Sequence, residues 1–277
     1  MQNTQRVSQF YDLKGSSYVK VVLLCGGKGT RLGELTGRRL PKPLVEINGR
    51  PILWHIMKSY ARQGYNDFVI CAGHLSEMIK QYFLHSKLYG GDMRVNTGTG
   101  EVEYLGGDDD NWTVTIADTG AETQTAGRIA RVAGYLEPEG PFFLTYGDGL
   151  SDIDLGQLLA FHHSHGKLAT ISGIAPPGRF GELDLDGARV AELKEKPEST
   201  DRYINGGFMV LDRQFVRRYC EVPDADNIML ERAPLERAAV DGELMMFAHH
   251  GFWQCMDTAR DWELLEKLAS APQVPWQ

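Results

Sequence analysis

The chain has 277 residues, 42% hydrophobic and 24% charged, enough to build one full-size α/β unit with its own core, and it excludes a disordered, collagen-like or coiled-coil protein. No run approaches the roughly 20 apolar residues of a membrane span, so the expectation is a soluble protein with no membrane partner. Twenty-nine basic residues against 37 acidic ones give a net charge of −8, the wrong sign for coating nucleic acid, although a phosphorylated ligand still fits where cations cluster locally.

Residues 1–18 are polar and lack the apolar centre of a secretory signal, and read as an N-terminal arm. Cys25, Cys71, Cys220 and Cys255 have no C-x-x-C spacing, which offers neither a zinc framework nor a disulfide scaffold and fits a reducing cytoplasm.

The run VKVVLL (19–24) is the pattern of a parallel strand buried on both faces. Ile52 to Gln63 has helical apolar spacing, DFVICA (67–72) reads as a strand, and Ser76 to Leu84 as a helix opened by a serine cap. Strand, helix, strand, helix gives right-handed βαβ units with helices on both sheet faces. From Leu84 to Trp112 the composition turns to Gly, Asp, Asn and Thr, which predicts a long excursion holding a hairpin near Arg94 and Val102. The rhythm resumes with WTVTIAD (112–118), a short helix after Thr125, PFFLTY (141–146), a helix over 155–165 and ATISGI (169–174). Beyond Pro176, short strands near Glu182, Val190 and Tyr203 and helices over 228–240 and 259–269 predict a smaller α+β lobe. The expected organisation is thus an arm (1–18), an α/β core (19–175) and a smaller α+β C-terminal lobe of the same domain (176–277).

The first strand ends in Leu24-Cys25-Gly26-Gly27-Lys28-Gly29-Thr30-Arg31-Leu32, followed by Pro41-Lys42-Pro43. Ligands of open α/β sheets bind at that carboxyl edge. Glycines without Cβ let backbone N–H groups turn inward as an anion nest. Neither standard nucleotide fingerprint fits: a P-loop needs G-x-x-x-x-G-K-[ST], and a Rossmann turn needs glycine where Leu32 stands. A lone G-G-x-G is ordinarily a surface turn. Here the strand, three glycines, the planar fork of Arg31 and a lysine held between prolines coincide, and together they point to a polyphosphate.

Tyr146-Gly147-Asp148-Gly149 lies on the same edge, with the Asp148 carboxylate unobstructed by its neighbours and suited to Mg²⁺, while Asp152 and Asp154 are available to cap the next helix. Asp257 precedes the last helix, where an aspartate is usually an N-cap; as a partner of Asp148 it becomes a second metal ligand. Glu195-Lys196-Pro197 and Asn205-Gly206-Gly207 offer a pocket for a phosphorylated, hydroxyl-rich second substrate, or are simply structural. His162 and His165 share a helix face; with no carboxylate at matching spacing, a solvated helix end is favoured over a metal pair. The absence of G-x-S-x-G and of an activated cysteine argues against covalent catalysis.

L-x-G-G-x-G-T-R-L followed by P-K-P resembles the signature of the sugar nucleotidyltransferases. PILWHIMKSY, FLTYGDGLSDIDL, PPGRFGELD, EKP, INGGF and GFWQCMDT extend the likeness from Val19 to the C-terminus, toward the cytidylyl-transferring branch. The resemblance implies a Rossmann-like nucleotidyltransferase fold, with a mostly parallel central sheet flanked by helices. It also implies Mg²⁺ dependence and conversion of CTP and α-D-glucose 1-phosphate to CDP-glucose and pyrophosphate. By position, Leu24, Gly26, Gly27, Thr30, Arg31, Thr125 and Arg128 would bind the nucleotide, with Arg31 and Lys42 catalytic. Asp148 and Asp257 would bind the metal; Gly181, Glu195, Lys196 and Asn205 the sugar phosphate. Cys25 replaces the family's usual alanine, and Thr125-Ala126-Gly127-Arg128 its T-G-G-R. A homo-oligomer is implied as well. The alternatives are a pyrophosphorylase using another nucleotide or acceptor, a non-catalytic nucleotide-sensing relative, and a nicotinamide-dependent oxidoreductase, which the missing Rossmann glycine disfavours.

Overall fold

A computed structural model describes residues 19–29, 39–106, 110–175, 182–186, 189–194 and 203–277. The N-terminal arm lies outside the described residues.

Fifteen strands are described: β1 (Val21–Cys25), β2 (Glu46–Ile47), β3 (Arg50–Pro51), β4 (Asp67–Ala72), β5 (Asp92–Val95), β6 (Val102–Leu105), β7 (Thr113–Asp118), β8 (Pro141–Tyr146), β9 (Gly149–Ser151), β10 (Ala169–Ile174), β11 (Glu182–Asp186), β12 (Arg189–Lys194), β13 (Ile204–Asp212), β14 (Leu244–His249) and β15 (Trp253–Cys255). The principal helices are α1 (Ile52–Arg62), α2 (Ser76–Leu84), α3 (Thr125–Val132), α4 (Leu155–His165), α5 (Ala233–Val240) and α6 (Ala259–Ala269).

Seven strands form one sheet in the order β14-β10-β13-β8-β1-β4-β7. β8, β1, β4 and β7 run parallel, β10 and β14 are parallel to each other, and β13 is antiparallel to both of its neighbours. The sheet is therefore mostly parallel, as expected, and covered on both faces. Strand alternation divides its side chains: Val21, Leu23, Phe68 and Ile70 enter the layer shared with α1, α2, α4 and α6, whereas Val22, Leu24, Val69 and Cys71 enter the layer shared with α3, α5 and the helical stretch 213–220. Fully burying each such aliphatic or aromatic side chain contributes about 1.5–3 kcal/mol before entropy is subtracted.

Four sequence expectations need correction. The short strand expected near Tyr203 is nine residues long and lies inside the main sheet, because Phe208, Val210 and their neighbours are apolar on both faces. The helix expected over 228–240 starts only at Ala233: Pro234 fits its first turn but has no N–H to donate to the carbonyl four residues back, so the helix does not extend through the preceding turn. Ser76 does not cap α2; Leu75, in a left-handed conformation, occupies that position, and the Ser76 hydroxyl donates to Asp118 Oδ2 at 3.1 Å. His162 is no solvated helix end. It is 2% exposed, and its Nδ1 and the Nε2 of His165 both meet Thr170 Oγ1, at 2.9 and 2.8 Å.

The expected hairpin in the 84–111 excursion is β5–β6. Asp110, where the excursion returns, accepts from Trp54 Nε1 and from Lys58 Nζ on α1, both at 2.7 Å.

Candidate active site

β1 and β8 are adjacent parallel strands, so the glycine turn after one and the Gly147-Asp148 pair after the other emerge side by side. The approach is close: a Cβ on Gly147 would lie 2.7 Å from Cys25 Sγ and 3.1 Å from Pro43 Cγ. Gly29 has φ +59°, and a Cβ there would meet Lys42 Cβ at 3.2 Å. Pro41 leads extended into the short 3-10 turn Lys42–Leu44, where Leu44 N bonds Pro41 O and fixes the direction in which Lys42 leaves the backbone.

The Lys42 ammonium donates to Asp148 Oδ2 at 2.6 Å and to Asp257 Oδ1 at 2.7 Å. Burial alone would lower its pKa, but the two carboxylates outweigh that and raise it, so the ammonium stays charged. Asp257 is available for this contact because it is not the helix cap. Thr258 caps α6 in a box with Asp261, whose Oδ2 accepts from the backbone nitrogens of both Asp257 and Thr258. Asp154 likewise caps α4, which leaves Asp148 to the cleft.

Leu24, Gly26, Gly27, Gly29, Lys42, Thr125, Arg128 and Asp148 line one cleft of about 200 Å³, so the nucleotide and catalytic expectations that fall on described residues converge. Asp257 joins through Lys42. Asn205 is not part of that lining; its side-chain oxygen accepts from Gly207 N at 2.9 Å, which braces the turn next to Tyr146. Thr30, Arg31, Gly181, Glu195 and Lys196 lie outside the described residues.

Arg128 is 4% exposed, and its guanidinium is directed at backbone: Nη2 donates to Gly26 O at 3.0 Å, and Nη1 to Gly120 O at 2.9 Å and Thr119 Oγ1 at 2.7 Å. It clamps the glycine turn to the loop before α3. A Cβ on Gly26 would stand 2.0 Å from Nη1, so this glycine is required by the clamp itself. Gly27 is different. Among the described residues nothing lies within 4 Å of its missing Cβ, and the space beside it is the cleft.

Two amides at the α3 N-terminus are committed to backbone carbonyls and not to the cleft. Gln124 N and Ala126 N donate to the carbonyls of Asp226 and Ile228, at 2.7 and 3.0 Å. Ala126, the departure from T-G-G-R, points its methyl into the core with no exposure. Sequence reasoning missed Thr123, Gln124 and Tyr146 in the lining. The position of Tyr146 inside Y-G-D-G was a readable signal; that of Thr123 and Gln124 depends on the loop carried by Arg128.

A mostly parallel sheet whose carboxyl edge carries a glycine cradle, one lysine and two carboxylates that converge on it defines an enzyme handling phosphorylated nucleotides. The chain belongs to the nucleotidyl transferase family, whose model matches residues 20–255. It is 44% identical to the glucose-1-phosphate cytidylyltransferase of Salmonella typhi over 94% of this chain and 99% of that protein. It is 41% identical to the probable glucose-1-phosphate cytidylyltransferase of Bacillus subtilis (strain 168) over the same shares. Among solved structures, a putative glucose-1-phosphate thymidylyltransferase from Bacillus anthracis superposes with a TM-score of 0.66 at 15% identity, covering 92% of this chain and 96% of that one. This last likeness is one of fold.

Proposed function

We propose that the protein transfers a cytidylyl group from CTP to α-D-glucose 1-phosphate, giving CDP-glucose and pyrophosphate. The observation that carries nucleotidyl transfer is the Lys42–Asp148–Asp257 cluster, whose Lys42 and Asp148 line the glycine cleft. The base and the sugar are supported by the 44% and 41% identical relatives, which carry that name.

A sugar phosphate, with a second pKa near 6, is largely dianionic at neutral pH and attacks without a protein base. One of its oxygens bonds to the α-phosphorus of CTP while the bond from that phosphorus to the β-phosphate oxygen breaks, and pyrophosphate leaves with the electron pair. The obstacle is repulsion between two anions. The chain answers it with Lys42 and the turn amides of Gly26 and Gly27, together with Thr30 and Arg31, which screen the charges and hold the partners in line. Leu24, Thr125 and Arg128 shape the nucleotide side. Gly181, Glu195, Lys196 and Asn205 are assigned to the sugar phosphate.

Asp148 and Asp257 fit a magnesium ion: both are hard oxygen donors, and in the structure they already face a single cation, the Lys42 ammonium. Bound there with the triphosphate, Mg²⁺ would neutralise charge on the departing pyrophosphate.

The apolar face of the β5–β6 hairpin, Met93 and Val95 paired with Tyr104 and Val102, is exposed, which supports self-association. Cys25, Cys71, Cys220 and Cys255 are free thiols and not disulfides, which supports a reducing compartment.

Pyrophosphate release from ATP, GTP, CTP, UTP and dTTP, each paired with glucose 1-phosphate and with mannose 1-phosphate, tests the proposal. CTP with glucose 1-phosphate is expected to dominate. Another preferred pair would replace the substrate assignment, and nucleotide binding with no release in any pair would refute catalysis.

A further inference from the structure

Glu231 lies in the turn before α5, on the stretch that crosses the N-terminus of α3. Both of its carboxylate oxygens are engaged by hydroxyls of the cleft wall: Tyr146 Oη donates to Oε1, and Thr125 Oγ1 donates to Oε2 at 3.3 Å. Leu230 N donates to Thr125 Oγ1 at 2.6 Å, which leaves that hydroxyl's own proton for Glu231. Tyr146 and Thr125 line the cleft, whereas Glu231 does not belong to its described lining.

Tyr146 also separates two regions. One side of it faces the cleft, and on another its ring fills the place where a Cβ on Gly207 would come within 2.8 Å. Its backbone runs directly into Gly147 and Asp148. The phenol therefore stands between the nucleotide cleft and the Asn205–Gly207 turn assigned to the sugar phosphate.

A carboxylate beside a site for polyanions works against ligand binding by simple charge. Its compensating property is strength, since hydrogen bonds to an ionised acceptor are about twice as strong as neutral ones. We propose that Glu231 is a positioning residue for the transfer reaction, holding Tyr146 and Thr125 as the wall between nucleotide and sugar phosphate while touching neither substrate. This rests on the nucleotidyl-transfer reading above.

The test is a double-mutant cycle of Glu231→Ala and Tyr146→Phe, with Glu231→Gln as the conservative variant, read as kcat and KM for each substrate. Glu231→Ala is expected to raise the KM of glucose 1-phosphate about tenfold and that of CTP about threefold, with a smaller change in kcat. Glu231→Gln should recover most of the loss, because its amide oxygen still accepts from Tyr146. The double variant should match Glu231→Ala alone. Effects that multiply in the double variant would show that Glu231 acts independently of Tyr146, and unchanged KM values with only a lower melting temperature would make it purely structural; either result overturns the proposal. If Glu231→Ala does not fold, Glu231→Gln with Tyr146→Phe reads the same coupling at smaller amplitude. Calorimetric titration of the same variants with CTP reads the cycle without turnover. A protein that binds CTP but releases no pyrophosphate would thus refute the reaction and still decide the role of Glu231.

Discussion

Lys42 and Asp148 are 106 positions apart in sequence, yet their charged atoms meet at 2.6 Å, and Asp257 closes on the same ammonium from the far end of the chain. One cation is thus shared by two carboxylates, in the place where a divalent ion would be held. On the proposed reading metal and lysine compete for these oxygens, and the triphosphate gives the displaced lysine a new partner. Lys42→Met is expected to lower turnover by about two to three orders of magnitude. The same variant should bind Mn²⁺ about tenfold more tightly without nucleotide, since a neighbouring cation no longer opposes it. Paramagnetic resonance of free Mn²⁺ measures this directly, and unchanged or weaker binding would refute the competition.

Gly26 and Gly27 are glycines for different reasons, and alanine separates them. At Gly26 the new methyl displaces a guanidinium held by three or more hydrogen bonds, so Gly26→Ala is expected to destabilise the fold by about 2 kcal/mol or more as well as to weaken nucleotide binding. At Gly27 the protein has room, so Gly27→Ala should melt like the parent and lose affinity for CTP alone. Thermal unfolding beside calorimetry distinguishes them; a destabilised Gly27→Ala would show that the space there is not the ligand's.

Asp261 carries both a helix cap and the backbone of Asp257. Asp261→Ala is expected to cost about 1 kcal/mol of stability and to weaken Mn²⁺ binding through the released Asp257. Asp261→Asn keeps an acceptor and should restore much of both. Loss of stability with metal affinity intact would confine Asp261 to capping.

His55 sets a pH dependence. It is buried; its Nε2 meets Ile47 O at 2.9 Å while Nδ1 accepts from Trp276 Nε1 at 3.4 Å, a pattern only the neutral ring satisfies. Burial lowers its pKa below the ordinary 6.5, helped by Arg50 and Arg62, although the Ile47 bond and Glu266 act the other way. The unfolded chain therefore binds the proton first. The associated stability is complete above pH 6.5 and declines as pH falls through and below that value. Burial also lowers His163 and His165, which add to the slope. Melting curves between pH 8 and pH 5 should show this decline, and His55→Gln should flatten part of it; an unchanged slope would remove His55 from the account.

The parallel core was legible because β1, β4 and β8 are near-continuous apolar runs bounded by turn residues, and the site edge followed from where those runs stop. Lys42 and Asp148 could be named because each stands against prolines or glycines that constrain the backbone. Asp257 was legible only as one of two readings, and the decision lay in Thr258 and Asp261, which supply the cap instead. What remained hidden depends on contacts between distant segments. β13 reads as a short strand until it is seen between β8 and β10, and Glu231 looks like any surface acid until Thr125 and Tyr146 arrive beside it. Arg128 sits in a motif associated with nucleotide contact, and no local pattern discloses that its donors are committed to the carbonyls of Gly26 and Gly120.

The insertion of β13 between β8 and β10 has a consequence for synthesis. During translation the strands on either side of it are complete while the one that joins them is still inside the ribosome. Until residue 204 and its successors emerge, β8 and β10 each present an open hydrogen-bonding edge and a band of uncovered aliphatic side chains. Slow elongation through the stretch between them would lengthen that exposed interval.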